Sequence, residues 1–309
     1  MSRQLRGALL CAWCLIVSRA VPATAQGHTA SVNGASLYYE VAGAGPPLVL
    51  IHGWSLNLRM WDRQVSALSG RFRVIRYDRR GFGKSTANED ITWDADDLNA
   101  LLDHLGIAKA HILGMSQGAR VALQFARDHS DRVSSLILHA APPPDGFGLP
   151  WTGADRTRFD EWSTIARERG LDAFRRAWSS HPLMAIPAGH ADAQARLTEL
   201  LAAYRGGRFL SPASPSGTVA AITMDDLPRI RVRTLVLVGE KEVPFLQIVA
   251  RALAYYLPDA RLATVPGGGH MINLIEPDRY NTALVDFLRA SIPDASKRRQ
   301  VSRRAPPHA

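Results

Sequence analysis

The sequence predicts an α/β protein: a mostly parallel, doubly wound sheet with an inserted helical cap. Three observations lead there. Short strand-like runs alternate with helix-like stretches over most of the 309 residues. Several runs, among them LVLI before His52 and TLVLV (Thr234–Val238), are continuously apolar, as strands covered on both faces must be. The alternation also stops between residues 142 and 226, where only helix-like stretches occur. Repeated strand–helix units give parallel strands with helices on both faces. A helical block between two such strands should sit over one end of the sheet.

The elements follow in order. SLYYEVAG (Ser36–Gly43) reads as an early strand and PPLVLIHG (Pro46–Gly53) as a buried one. Met60–Gly70 reads as a helix closed by Gly70, and RFRVIRYD (Arg71–Asp78) as the next strand. Over Thr92–Leu105, Trp93, Leu98, Leu101, Leu102 and Leu105 make one helical stripe. HILGM (His111–Met115) is a strand, Ala119–His129 a helix and VSSLILHA (Val133–Ala140) a strand. Arg158–Arg169, Leu171–Ser179 and Ala191–Tyr204 are helical stretches of the block. VRTLVLVGE (Val232–Glu240), a helix near Phe245–Tyr256, ARLATVPG (Ala260–Gly267) and a last helix near Ile272–Ala290 complete the chain. The expected division is a core of residues 26–141 and 227–292, a cap of 142–226, a leader of 1–25 and a tail of 293–309.

The formal charge of +9 lies at the ends. Arg3, Arg6 and Arg19 precede residue 26, and Lys297, Arg298, Arg299, Arg303 and Arg304 follow residue 296. This leaves +1 between them, so the body is nearly neutral and no nucleic-acid partner is expected. The tail SKRRQVSRRAPPHA has no apolar periodicity and reads as a solvated, disordered segment. At the other end, a basic start, the short apolar run Gly7–Ser18 and Ala23-Thr24-Ala25 have the form of a secretory signal. Its cleavage would export the chain to the periplasm or the medium, with no stable membrane insertion. An uncleaved anchor is the other reading. Both cysteines, Cys11 and Cys14, fall in this leader, so the mature chain would hold no disulfide, thiolate metal site or Cys nucleophile.

The strongest chemical signal is GMSQG (Gly114–Gly118), between a buried strand and a helix. That is the setting of a G-x-S-x-G nucleophile elbow, a sharp turn that lifts the Ser116 hydroxyl above the sheet. A hydroxyl needs a base. Of ten histidines, His28 and His308 lie near the ends. His104, His129 and His190 fall on helix or loop surfaces, His111 and His139 inside strands, and His181 in the helical block. His270, on the glycine-rich loop of PGGGHMINLIEP, has the freedom to reach the sheet's end and comes in the chain order Ser, acid, His. In IHGW (Ile51–Trp54), His52 reads as a loop support. The backbone N–H groups of Trp54 and Gln117 are the expected oxyanion donors.

Taken together, LVLIHGW, YDRRGFGKS, GMSQG, VGEKEVPF and GGGHMINLIEP resemble the α/β-hydrolase superfamily from about residue 30 to 290, closest to small esterases, lactonases and cofactor-free perhydrolases. YDRRGFGKS is not a phosphate loop, since Asp78 stands where that pattern needs Gly. Asp78, Arg80 and Ser85 read as structural. Dehalogenase and epoxide hydrolase relatives use an Asp nucleophile, so Ser116 argues against both. The resemblance implies a catalytic acid at Glu242, where the family usually has Asp. Glu240 and Asp145 stay open as alternatives. It also makes 142–226 the cap, whose Phe147, Trp151, Trp162, Phe174, Trp178 and Phe209 would pack a small core of their own, with one or two lining an acyl pocket.

The implied reaction is acyl transfer on a small carboxylic ester or lactone by Ser116, His270 and Glu242, with no cofactor or metal. Hydrolysis of a C–C bond in a diketone-like ring-fission product would use the same triad. A comparison of p-nitrophenyl esters with such a product separates the two. A non-catalytic binding module is the third reading, and reaction with a fluorophosphonate discriminates against it. Oligomeric state and the identity of the acyl and alcohol groups are not written in the sequence.

Overall fold

The computed structural model describes residues 26–153, 158–210 and 220–289. The expected leader (1–25) and basic tail (293–309) lie outside the described residues, as do parts of the 142–226 block and the end of the 227–292 segment.

Among the described residues eight strands form one sheet in the order β1-β2-β4-β3-β5-β6-β7-β8. They are β1 (Gln26–Val32), β2 (Ala35–Ala42), β3 (Pro47–Ile51), β4 (Arg73–Tyr77), β5 (Ala110–Met115), β6 (Val133–His139), β7 (Thr234–Gly239) and β8 (Ala260–Val265). β2 runs antiparallel to both β1 and β4, and all other pairs are parallel. Leu48 to Ile51 of β3 and every residue of β5 and β7 are buried, so helices cover both faces there. The helices are α1 (Asp62–Leu68), α2 (Asp94–His104), α3 (Gln117–Asp128), α4 (Phe159–Arg169), α5 (Leu171–Ser179), α6 (Ala191–Ala202), α7 (Gly207–Leu210), α8 (Pro244–Tyr256), α9 (Ile272–Ile275) and α10 (Pro277–Arg289).

Three local readings are revised. β1 was not expected, because QGHTASV carries few strand-favouring side chains. Its signal is Asn33-Gly34: both residues take positive φ, 44° and 74°, in a two-residue hairpin turn that joins β1 to β2. Only α1 of the expected Met60–Gly70 helix is α-helical, since Leu58–Trp61 forms a 3₁₀ turn capped by the Asn57 side chain. The last helix is broken at Glu276 into α9 and α10, with Pro277 opening the second.

α4 to α7 all lie between β6 and β7, where the sequence shows no strand. The connection begins and ends on the core, and Asp145 and Thr223 form a parallel bridge. Among the described residues no helix is long and apolar enough to cross a membrane.

Polar residues of the β4 exit turn brace the fold beneath the site. The buried Asp78 carboxylate accepts the N–H groups of Leu58 and Lys84, and Ser85 donates to the Asp78 carbonyl. Arg80 makes a two-pronged pair with Asp97 at 2.7 and 2.8 Å and donates to the Asn33 carbonyl. All three therefore hold the turn, as expected.

Candidate active site

The site grows from the β5–α3 junction. Ser116 has φ 53° and ψ −121°, a strained backbone for a residue with a Cβ. Its N–H donates to the His139 carbonyl at 2.8 Å, and its own carbonyl accepts from Ala119 and Arg120 in the first turns of α3. The strand and helix meet this closely because a Cβ on Gly118 would come within 2.5 Å of the Ile51 carbonyl oxygen and 2.6 Å of that of His52. One on Gly114 would collide with the Gly118 carbonyl. The G-x-S-x-G spacing is thus a packing demand at both glycines. Ala140, which lines the same cavity as Ser116, also holds a positive φ of 47°.

From the opposite side comes the loop after β8. His270 Nδ1 lies 2.9 Å from Glu242 Oε2, and both side chains are buried. The carboxylate can only accept, so Nδ1 carries the proton and Nε2 is left as the basic nitrogen. Glu242 Oε1 turns back to accept the Val243 N–H at 2.9 Å, which fixes the longer glutamate chain in one pose. The two loops approach through glycine: a Cβ on Gly239 would meet the carbonyls of Gly268 and Gly269. Asp145 and Glu240 are placed elsewhere. Asp145 is an exposed carboxylate paired with Arg120 at 2.9 Å, and Glu240 accepts the Gly267 N–H from an exposed turn.

Ser116, His270, Trp54 and Gln117 line one cavity of about 280 Å³. Its remaining walls are mostly apolar, with Leu56, Met115, Trp151, Phe159, Leu183 and Leu246 among them. Gln117 is the first residue of α3, where a helix N–H has no acceptor in the helix ladder. Its side-chain oxygen accepts from Arg79, which is buried and paired with Asp94.

His52 is a support in this geometry. Nε2 accepts the Arg79 N–H at 2.9 Å, so Nδ1 carries the proton and donates to the Gly53 carbonyl at 2.8 Å. Burial and the neighbouring Arg79 lower its pKa to about 3, which keeps the ring neutral. His111 bonds the Ser135 hydroxyl, and burial lowers its pKa to about 4. His139 meets the Tyr280 hydroxyl at 3.2 Å, and burial with nearby His270 pushes its pKa well down.

The aromatic residues of the 142–226 segment do more than pack against one another. Phe159, Phe174, Trp178, Tyr204 and Phe209 all set their rings at steep angles to Trp54, with centroids 5.0–5.8 Å away. Trp178 Nε1 also donates to Ser55 Oγ at 2.8 Å. Trp151 stacks on Phe245 of α8 instead. Sequence reasoning missed Ser55, Arg79 and Glu89 as neighbours of the site. The Glu89 carboxylate takes the Trp54 indole N–H and the Tyr204 hydroxyl. No short motif marks it, because those partners are 35 and 115 residues away.

Comparison with known proteins agrees with this architecture. A Synechocystis sp. protein provisionally named a non-heme chloroperoxidase is 32% identical over 273 residues, 82% of this chain and 95% of that one. The enol-lactonase of Burkholderia xenovorans LB400 superposes with a TM-score of 0.70 at 27% identity, over 85% of this chain and 100% of its own. A thermophilic esterase from Thermogutta terrifontis gives 0.73 at 26%, over 86% and 99%. The sequence pattern of the alpha/beta hydrolase fold matches residues 46–277. The chain belongs to the α/β hydrolase fold family.

Proposed function

We propose that the chain is a serine hydrolase that cleaves small carboxylic esters or lactones through an acyl-enzyme intermediate. The observation that carries this reading is the convergence on one apolar cavity of a strained Ser116 and a His270 whose Nδ1 is held by Glu242. Lactonase and esterase relatives of the same fold support the substrate class.

In the proposed reaction His270 Nε2 takes the Ser116 proton as Oγ attacks the substrate carbonyl carbon. The carbonyl π electrons move to oxygen, and the oxyanion is met by the N–H groups of Trp54 and Gln117. Each such donor is worth about 3 kcal/mol in the transition state. The tetrahedral intermediate collapses, the C–O bond to the leaving alkoxide breaks, and His270 returns the proton to it. Water then repeats the sequence on the acyl-enzyme, with His270 as base, and releases the acid. Glu242 holds the imidazole in the Nδ1–H tautomer and stabilises the imidazolium. The apolar walls exclude bulk water and strengthen each of these electrostatic contacts.

A fluorophosphonate probe tests the reading directly: it is expected to label the folded wild type and to leave Ser116→Ala unlabelled. An unlabelled, folded wild type sinks the proposal. A panel of p-nitrophenyl esters and lactones then ranks acyl length. Export is proposed separately, on the leader pattern of residues 1–25. Cell fractionation with sequencing of the mature N-terminus checks it, and a chain that keeps residues 1–25 in the cytoplasm argues against it.

A further inference from the structure

Trp54 is held from two directions. Its indole Nε1–H donates to Glu89 Oε1 at 2.8 Å. The other carboxylate oxygen, Oε2, accepts the Tyr204 hydroxyl at 2.9 Å and the Arg208 backbone N–H at 3.0 Å. Glu89 therefore spends one oxygen on the loop that follows β3 and the other on Tyr204, between α6 and α7, and on Arg208 of α7. The Tyr204–Arg208 segment reaches the core a second time, where Arg205 Nη2 donates to the Gly81 and Ser85 carbonyls at 3.1 and 2.7 Å. Both ends of the bridge face the cavity, since Trp54 and Arg208 line it together with Ser116 and His270.

The chemistry suits a carboxylate in particular. Among the described residues the three groups that hydrogen-bond to it are all donors, and a carboxylate is an acceptor at both oxygens. An amide of the same shape would turn an NH₂ group toward a donor. Burial raises the Glu89 pKa, and the Tyr204 hydroxyl and Arg79 oppose that rise. The ring of Trp54 and its backbone N–H share one Cα. With the indole N–H bonded and aromatic rings on several sides, a shift of the ring would be passed to the Trp54 backbone.

We propose that Glu89 is a positioning residue: it ties the Trp54 loop to the Tyr204–Arg208 segment, so that the Trp54 N–H is aimed at the oxyanion only when that segment is seated. The proposal rests on the hydrolase reading and on Trp54 as an oxyanion donor.

Glu89→Gln keeps the size of the side chain and is the first variant to make. Tyr204→Phe, which removes one link, is the second. Removal of a whole oxyanion donor costs about 10²–10³ in kcat, so a misaimed one should cost a part of that. The expected result for Glu89→Gln on a p-nitrophenyl ester is a fall in kcat of about 10- to 100-fold with KM within about threefold, and a smaller fall for Tyr204→Phe. Affinity for a trifluoromethyl ketone, whose adduct on Ser116 bears the oxyanion, should drop by the same factor as kcat. A residue that merely braces the fold would lower the melting temperature without that parallel loss. A folded Glu89→Gln with kcat and ketone affinity within twofold of wild type overturns the proposal, and so does a rise in KM alone. Fluorophosphonate labelling separates the two levels. An unlabelled wild type defeats the hydrolase reading, whereas a labelled wild type beside an unaffected Glu89→Gln defeats only the role of Glu89.

Discussion

Glu242→Asp is the most informative single change, because aspartate is the commoner residue at this position in the fold yet should fail here. The His270 Nδ1 to Glu242 Oε2 distance is 2.9 Å. Removal of one methylene draws the carboxylate back by about 1.5 Å, the length of a C–C bond. The gap then exceeds the limit of about 3.5 Å for a useful hydrogen bond unless a loop moves. Movement is opposed on both sides. The Glu242 carbonyl accepts from the Gln247 amide, and Gly269 already lies against the Lys241 carbonyl. A hydrogen bond to a charged group is worth about 1.5–3 kcal/mol. At 1.36 kcal/mol per decade, its loss lowers kcat by about 10- to 160-fold. Glu242→Gln keeps the length but removes the charge and admits the wrong tautomer, so about 10²–10⁴-fold is expected. The assay is steady-state hydrolysis of a p-nitrophenyl ester, with circular dichroism to confirm folding. Turnover within twofold of wild type in Glu242→Asp would refute the geometric reasoning. Normal turnover in Glu242→Gln, with collapse in Asp145→Asn, would move the acid to Asp145.

Two further expectations follow from the surroundings of the site. Gly118→Ala pushes a Cβ to 2.5 and 2.6 Å from two backbone oxygens, neither of which can rotate away. A loss of about 1–3 kcal/mol is expected in urea unfolding, and an unchanged midpoint would count against the packing argument. His52 supplies a pH signature. Its folded pKa is about 3 against 6.5 in the unfolded chain, so between these values the unfolded chain binds the proton and the folded one does not. The stability due to neutral His52 is complete above about pH 6.5 and is lost as pH falls toward 3. The advantage of wild type over His52→Gln should shrink across that window, and a difference that stays constant with pH would contradict it.

The parallel sheet was legible in the sequence because its central strands announce themselves. LVLI, ILGM and LVLV are apolar without interruption, as strands covered on both faces must be, and the helix-like stretches between them complete the pattern. Ser116 was legible because its motif is local: strand, glycine, serine and helix fall within ten residues, and the same glycines that make the pattern make the close approach. His270 and Glu242 were nominated by chain order and by a resemblance. Their 2.9 Å contact joins residues 28 apart through two glycine-lined loops, and only the folded chain decides it against Asp145. β1 was hidden because edge strands need little apolar character, and the Asn33-Gly34 turn was its one local trace. Glu89 had no trace at all. A carboxylate in a polar loop looks like any other until its donors arrive, and those of Glu89 come from Trp54, Tyr204 and Arg208. The sequence by itself therefore determined most of the elements and the sharp turn that carries Ser116, since both depend on neighbours within a few residues. The tertiary structure alone decided which acid faces the histidine and what holds the Trp54 loop, since those depend on groups that meet only when the chain has folded.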